Sequence, residues 1–341
     1  MDSLMLQETQ AIPALVEHAL GRQEPAIAAI AKRIAAFAPE GFCTVARGTS
    51  DHAADYALRL VATTTGLIGA SLPPSLVTLA DAPLQFERHL VLAISQSGRS
   101  PDVVEPMQAA RAKGALTVAI VNDGASPLAK AAELVLEADA GTERSVAATK
   151  SFVLSLLQVV RLVAELTSDD GLRRSFSRLP AALDEAISAD WHAAMAPLEA
   201  GPSLFVVGRG LAHVTAREAA LKLKETCGIH GEAVSGAEIM HGPKALIGAH
   251  SPVLMFASTD LPPSADEAAV RALAGLSDRL LVAAPRPLAA GAFLPTADAP
   301  HPSLGPLVDI TAFYVFADRL SRARGRTPDA PPNLEKVTET R

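Results

Sequence analysis

Lys222 and Glu225 stand three residues apart in Ala219-Ala220-Leu221-Lys222-Leu223-Lys224-Glu225, a stretch that reads as helix, so both side chains fall on one face. A carboxylate beside an ammonium is suited to moving a proton between adjacent carbons while the cation steadies the charge that develops. The same spacing also makes an ordinary surface ion pair, worth at most about 1 kcal/mol. Further on, His241 precedes Gly242-Pro243, a rigid turn able to fix an imidazole, the side chain best matched to proton transfer near neutral pH. A lone loop histidine is otherwise simply solvated. His230 and His241 lack zinc-motif spacing, and Cys43 and Cys227 make neither a Cys-x-x-Cys pair nor a disulfide framework. No metal and no cofactor is expected, and a reducing compartment fits.

A second group of residues suits an anion. Ser95-Gln96-Ser97-Gly98-Arg99-Ser100 sets three hydroxyls, an amide and a glycine between a buried strand, Leu90 to Ile94, and a helix opening at Pro101-Asp102. Helix starts present unpaired N–H groups and the positive end of the macrodipole, the hydroxyls add donors, and Gly98 lets the backbone come close to a phosphate. Gly48-Thr49-Ser50 occupies the equivalent end of the strand Phe42 to Ala46, and loops at neighbouring strand ends can converge on one ligand. Each loop also reads as a plain turn with a Ser or Asp cap. The dinucleotide fingerprint Gly-x-Gly-x-x-Gly and the P-loop are both missing.

The elements that position these residues alternate. Helix is expected over residues 11 to 37, then strands at Phe42 to Ala46, Val77 to Leu79, Leu90 to Ile94, Thr117 to Val121 and Leu134 to Leu136, with helices between them. That is the pattern of a parallel sheet covered on both faces. It then returns. Arg47-Gly48 recurs as Arg209-Gly210 and Val91 to Ser95 loosely as Val253 to Ala257; 209 − 47 and 253 − 91 both give 162, which points to duplication. The second copy has Ala257-Ser258-Thr259-Asp260 where the first has Ser95-Gln96-Ser97-Gly98, so a carboxylate replaces the glycine and only the first copy is expected to hold an anion. The chain of 341 residues therefore divides into a first domain, 1–170, a second, 171–323, and a tail, 324–341, whose prolines and charges by themselves read as unpacked.

Composition narrows the partners. A net charge of −7 and 4% aromatic residues leave no field and few stacking platforms for nucleic acid. The apolar run Phe152 to Ala164 is interrupted by Gln158 and Arg161 and falls short of the roughly 20 residues of a membrane span. Asp2 and Glu8 do not suit an export signal. The expectation is a cytoplasmic protein whose partner is a small molecule, with no nucleic acid and no membrane.

Ser95-Gln96-Ser97-Gly98, Leu221 to Glu225, His241-Gly242-Pro243 and the closing Asn333-Leu334-Glu335-Lys336 together resemble the tandem sugar isomerase (SIS) family, as in the isomerase half of glucosamine-fructose-6-phosphate aminotransferase. The resemblance covers nearly the whole chain. It implies two tandem, doubly wound, flavodoxin-like α/β domains with the tail folded over the active site. It further implies that Ser95, Gln96, Ser97 and Ser100 hold a sugar phosphate and that Thr49 and Ser50 contact the sugar. Glu225 would shuttle the C1–C2 proton beside Lys222, His241 would assist ring opening from the neighbouring subunit of a homodimer, and Lys336 would form or support an imine. Val146-Ala147-Ala148-Thr149-Lys150 matches a ligand-lining loop, with Val146 and Ala147 at the ligand and Ala148 where serine is usual. The chain opens Met1-Asp2-Ser3, without the glutamine-hydrolysing domain and N-terminal cysteine of the synthase, and its motifs look closer to glutaminase-free glucosamine-6-phosphate deaminases. The expected reaction is conversion of glucosamine 6-phosphate to fructose 6-phosphate and ammonia. Alternatives are aldose-ketose isomerisation, fructosamine-6-phosphate deglycation, and a non-catalytic sugar-phosphate sensor.

Overall fold

The computed structural model describes residues 2–22 and 24–336. Two compact units are interleaved along the chain: Ala14–Glu143 with Lys150–Ser177 and Glu335–Arg341, and Met1–Pro13 with Arg144–Thr149 and Arg178–Leu334.

The first unit is built on β1 (Gly41–Val45), β2 (Gly69–Ser71), β3 (His89–Ser95), β4 (Leu116–Val121) and β5 (Leu134–Glu137), all parallel in the order β2-β1-β3-β4-β5. The interiors of β3 and β4 are buried throughout because helices cover both faces. Alternation along the strands assigns the faces. Val91, Ala93, Ala119 and Val121 pack with Val103 and Met107 of the helix Pro101–Ala112, whereas Leu90, Leu92, Val118 and Ile120 meet Ile34, Ala57 and Val159 from three other helices.

The second unit repeats the plan with β6 (Ser203–Gly208), β7 (His230–Ser235), β8 (Val253–Phe256), β9 (Leu280–Ala284) and β10 (Ala292–Pro295), also parallel, in the order β10-β9-β8-β6-β7. Counted from each unit's own first strand, both orders are 2-1-3-4-5, the flavodoxin-like winding. The 162-residue shift carries β1 onto β6, and it carries Gly48 (φ 54°) onto Gly210 (φ 58°), so the sequence repeat is a repeat of backbone conformation. Here Trp191 packs with Phe256, Phe313 and Phe316 at centroid separations of 5.6 to 6.2 Å and donates its indole N–H to the Pro295 carbonyl at 2.8 Å. These contacts lock the helix Gly305–Ala323 in place.

Several expected elements differ. Val77 to Leu79 is not a strand: Ser75–Thr78 is one helical turn, because Pro73-Pro74 fix φ and their carbonyls accept the N–H groups of Leu76, Val77 and Thr78. The edge strand is instead Gly69–Ser71, three small residues with no apolar alternation to mark them. The helix expected over 11–37 is broken near Gly21 into Ile12–Leu20 and Glu24–Phe37, preceded by a separate helix Leu4–Gln10. Pro13 sits in a first turn, where its missing N–H costs nothing.

The tail is not the unpacked segment that its composition suggests. The Arg324 guanidinium donates to the carbonyls of Cys227, Leu198, Glu199 and Gly201. The Asp329 carboxylate receives the N–H groups of Leu4 and Met5, each at 2.8 Å, and so closes the start of helix Leu4–Gln10. Positions 337–341 of the expected tail lie outside the described residues.

Asp309, 6% exposed in the helix Gly305–Ala323, has its carboxyl pushed up to about 7 by burial. The folded state thus holds this proton more tightly than the unfolded chain does. Its contribution to stability is complete below the ordinary value of 3.8, declines as pH rises and is lost once pH passes about 7. Asp309→Asn should flatten the pH dependence between about 4 and 7 and stabilise the protein at pH 8 by on the order of 2–4 kcal/mol. Thermal unfolding of both proteins across that range measures it; parallel curves would contradict it.

Candidate functional site

In the first unit the strand order reverses between β1 and β3, which places a crevice at their carboxyl ends. Both anion-suited loops open there. Ser95 to Ser100 follows β3 and Gly48 to Ser50 follows β1, and an Arg47–Asp102 ion pair at 3.1 Å, with Asp102 nearly buried, ties the two together. Ser95 Oγ accepts the Gly98 N–H at 3.0 Å and Ser97 Oγ accepts the Arg99 N–H at 3.3 Å, so the loop is held by its own hydroxyls. Gly98 has φ 62°, and a Cβ there would run into the Ser126 side chain; no other residue fits. Ser100 is the residue before helix Pro101–Ala112, yet its hydroxyl caps no backbone amide. Ser95, Gln96, Ser97, Ser100, Thr49 and Ser50 are all half-buried, as a polar cradle with an open mouth requires.

In the second unit the helix Ala212–Lys222 widens into a π turn, Leu223–Cys227, that ends on Gly228 at φ 61°. Such turns redirect side chains without ending the helix. Lys222 has no exposed side-chain surface. Its ammonium donates to Glu225 Oε2 at 2.5 Å and lies 3.3 Å from Glu218 Oε1, which also accepts the Tyr314 hydroxyl at 3.0 Å. Burial alone would lower the Lys222 pKa; the carboxylates of Glu218 and Glu225 outweigh it and hold the proton above the usual lysine range. The surface-pair alternative is therefore removed. Since Glu225 keeps 20% of its side chain exposed and Lys222 none, the carboxylate is the group that solvent can reach, and the lysine acts through it.

Other expected site residues make contacts of their own. His241 is exposed at the end of a turn, Glu238–His241, before Gly242 at φ 150°, and makes no hydrogen bond with Glu225. Ala147 is buried and the Val146 N–H is donated to the Asp329 carbonyl at 3.2 Å. The N–H groups of Arg144 and Ser145 reach the Glu8 carboxylate, fixing that segment within the second unit. In the first unit Lys336 pairs with Glu143 at 2.8 Å. Sequence reasoning missed Glu218, which was legible as the residue four before Lys222, and Tyr314 and Glu143, which carry no local signal. Among the described residues, no group of three or more His, Cys, Asp or Glu could hold a metal ion, and no helix is long and apolar enough to cross a membrane.

The second copy's crevice, between β6 and β8, is filled by the chain itself. Asp260 Oδ1 accepts the Leu211 N–H at 3.0 Å at the start of helix Ala212–Lys222, with Gly210 packed against the carboxylate. Ser258 is consumed as well, its hydroxyl donating to the Arg209 carbonyl at 2.6 Å. The carboxylate that stands where the first copy has Gly98 thus binds a backbone amide within its own unit.

Residues 42–164 and 198–275 match the SIS domain family. The isomerizing glutamine–fructose-6-phosphate aminotransferases of Thermococcus kodakarensis and Methanothermobacter thermautotrophicus are 30% and 32% identical over 362 and 356 residues, which cover 97% and 98% of this chain and 57% of each relative. The chain thus spans just over half the length of these curated relatives. Among solved structures, a Silicibacter pomeroyi DSS-3 protein classed provisionally as a phosphosugar isomerase superposes with TM-score 0.90 at 37% identity, covering 96% of this chain and 100% of that one. Glucosamine-6-phosphate deaminase of Thermotoga maritima shares the fold, with TM-score 0.78 at 19% identity over 99% of this chain and 100% of that one.

The cradle makes its own prediction. Gly98→Ala forces a left-handed alanine, costing about 1–2 kcal/mol before any clash with Ser126 is counted. Calorimetric titration with a sugar phosphate should show affinity reduced about tenfold or more; unchanged affinity would separate the loop from phosphate binding.

Proposed function

Since the chain belongs to the SIS domain family, we propose that it is a phosphosugar isomerase that acts on amino sugars, converting glucosamine 6-phosphate to fructose 6-phosphate and ammonia. The observation that carries this reading is the Glu225 carboxylate, part exposed and held by an ammonium wholly out of solvent. A base so fixed can take a proton from carbon and return it to the next carbon without reorienting.

In the proposed course, Ser95, Gln96, Ser97 and Ser100 hold the phosphate, with Thr49, Ser50, Val146 and Ala147 along the sugar. Glu225 takes the C2 proton of the open-chain aldose, giving an enaminol, and returns it to C1. This leaves an iminium at C2; water adds there and ammonia departs, giving the ketone. Lys222 and Glu218 keep Glu225 aimed. His241, exposed on its turn, serves ring opening in a second copy of the chain, so the working form is a homodimer. Lys336 forms or supports an imine at C2: where its amine adds in place of water, ammonia departs and water then cleaves the lysine imine to the same ketone, freeing the lysine. The name of the matched aminotransferases concerns amino transfer to fructose 6-phosphate and that of the deaminase neighbour glucosamine 6-phosphate, which supports this substrate class. Aldose-ketose isomerisation, favoured by the name of the Silicibacter protein, uses the same first step and stops before the C–N bond breaks.

Glu225→Gln should lower kcat by on the order of 10³-fold and abolish exchange of the C2 hydrogen with deuterated solvent, while affinity for the sugar phosphate stays within a few-fold. Exchange that persists removes Glu225 as the base. Ammonia assayed over a panel of amino-sugar phosphates decides the reaction: ketose without ammonia from a neutral aldose phosphate identifies simple isomerisation, and tight binding without turnover identifies a sensor.

A further inference from the structure

Lys336 donates to Glu143 Oε2 at 2.8 Å, and the two ends of this pair are unequal. The lysine side chain is 24% exposed and the glutamate 0%. A carboxylate removed from solvent is costly unless its oxygens are hydrogen-bonded. Ser151 provides for both: its N–H reaches Oε1 at 3.1 Å and its hydroxyl reaches Oε2 at 2.7 Å. Ser151 lies in the first turn of the 18-residue helix Lys150–Thr167, so the carboxylate also meets the positive end of a long helix. The adjacent cation does not compete for it, since the Lys150 ammonium donates to the Thr142 carbonyl at 2.6 Å. Glu143 is thus a prebuilt, rigid anion, and the lysine that comes to it hangs on a flexible four-carbon stem.

We propose that Glu143 is the positioning residue for Lys336. It fixes where the amine of the C-terminal segment stands. Its role in turnover rests on the reading of Lys336 as the reacting amine given above, but the seat itself can be tested independently of any reaction.

The wild-type protein, Glu143→Gln and Ser151→Ala would be exposed to trace acetic anhydride, and acetylation of Lys336 read by mass spectrometry against exposed Lys32 as internal reference. Loss of the charge-assisted bond should raise the rate at Lys336 about tenfold in Glu143→Gln and by less in Ser151→Ala, which keeps the carboxylate, with Lys32 unchanged. Equal rates in all three proteins overturn the proposal, whatever the reaction is. With an amino-sugar phosphate that the wild type turns over, Glu143→Gln should lower kcat about tenfold with KM within twofold. An unchanged kcat beside a more reactive Lys336 overturns the positioning role. If the wild type turns over no phosphosugar, the reaction assigned above fails, and acetylation still decides whether Glu143 seats the lysine.

Discussion

An ammonium with no exposed surface can stay charged only if carboxylates surround it, and Lys222 is held in this way by Glu218 and Glu225. Removing the lysine would leave the buried Glu218 carboxylate uncompensated, a change that typically costs several kcal/mol. Much of the second unit serves this arrangement. The π turn brings Glu225 round to the ammonium while leaving its edge in reach of solvent. Tyr314, from the helix locked by the Trp191 cluster, satisfies the far carboxylate. The Ser321 hydroxyl donates to the Thr226 carbonyl at 2.8 Å and pins the turn where its regular helical bonds are lost. Charge burial, helix widening and aromatic packing together leave a carboxylate that is held and yet accessible.

The winding was legible because buried parallel strands are written as short apolar runs and because the 162-residue shift repeats at Arg47 and Val91. Gly69–Ser71 was not: an edge strand of three small residues has neither alternation nor β-branched side chains to announce it. The site divides along the same line. Lys222 and Glu225 are neighbours on one helix face, so their contact follows from spacing, but the burial that distinguishes this pair from a surface one comes from residues far along the chain. Tyr314 is 96 positions from Glu218, and Lys336 is 193 from Glu143. No periodicity in the sequence encodes such meetings. The tail shows the reverse error: its prolines suggest looseness, yet Asp329 is the carboxylate that caps the first helix.

The two crevices at the strand-order reversals show how a duplicated plan can be put to different ends. In the first unit, Gly98 sits at φ 62° against Ser126, and the Ser100 hydroxyl caps no backbone amide. In the second, the equivalent position carries Asp260, and Ser258 and Leu211 have their polar groups taken up within the unit. The matching loop positions thus make different internal contacts in the two copies.

Tethering has a thermodynamic corollary. A guest anion occupies its seat only in proportion to its concentration, whereas a carboxylate carried on the same polypeptide is present at a fixed, high effective concentration and cannot be washed away. The helix that bears Lys222 accordingly begins beside a backbone amide bound to a carboxylate of its own chain. The start of that helix therefore keeps its carboxylate whatever the surrounding solution contains.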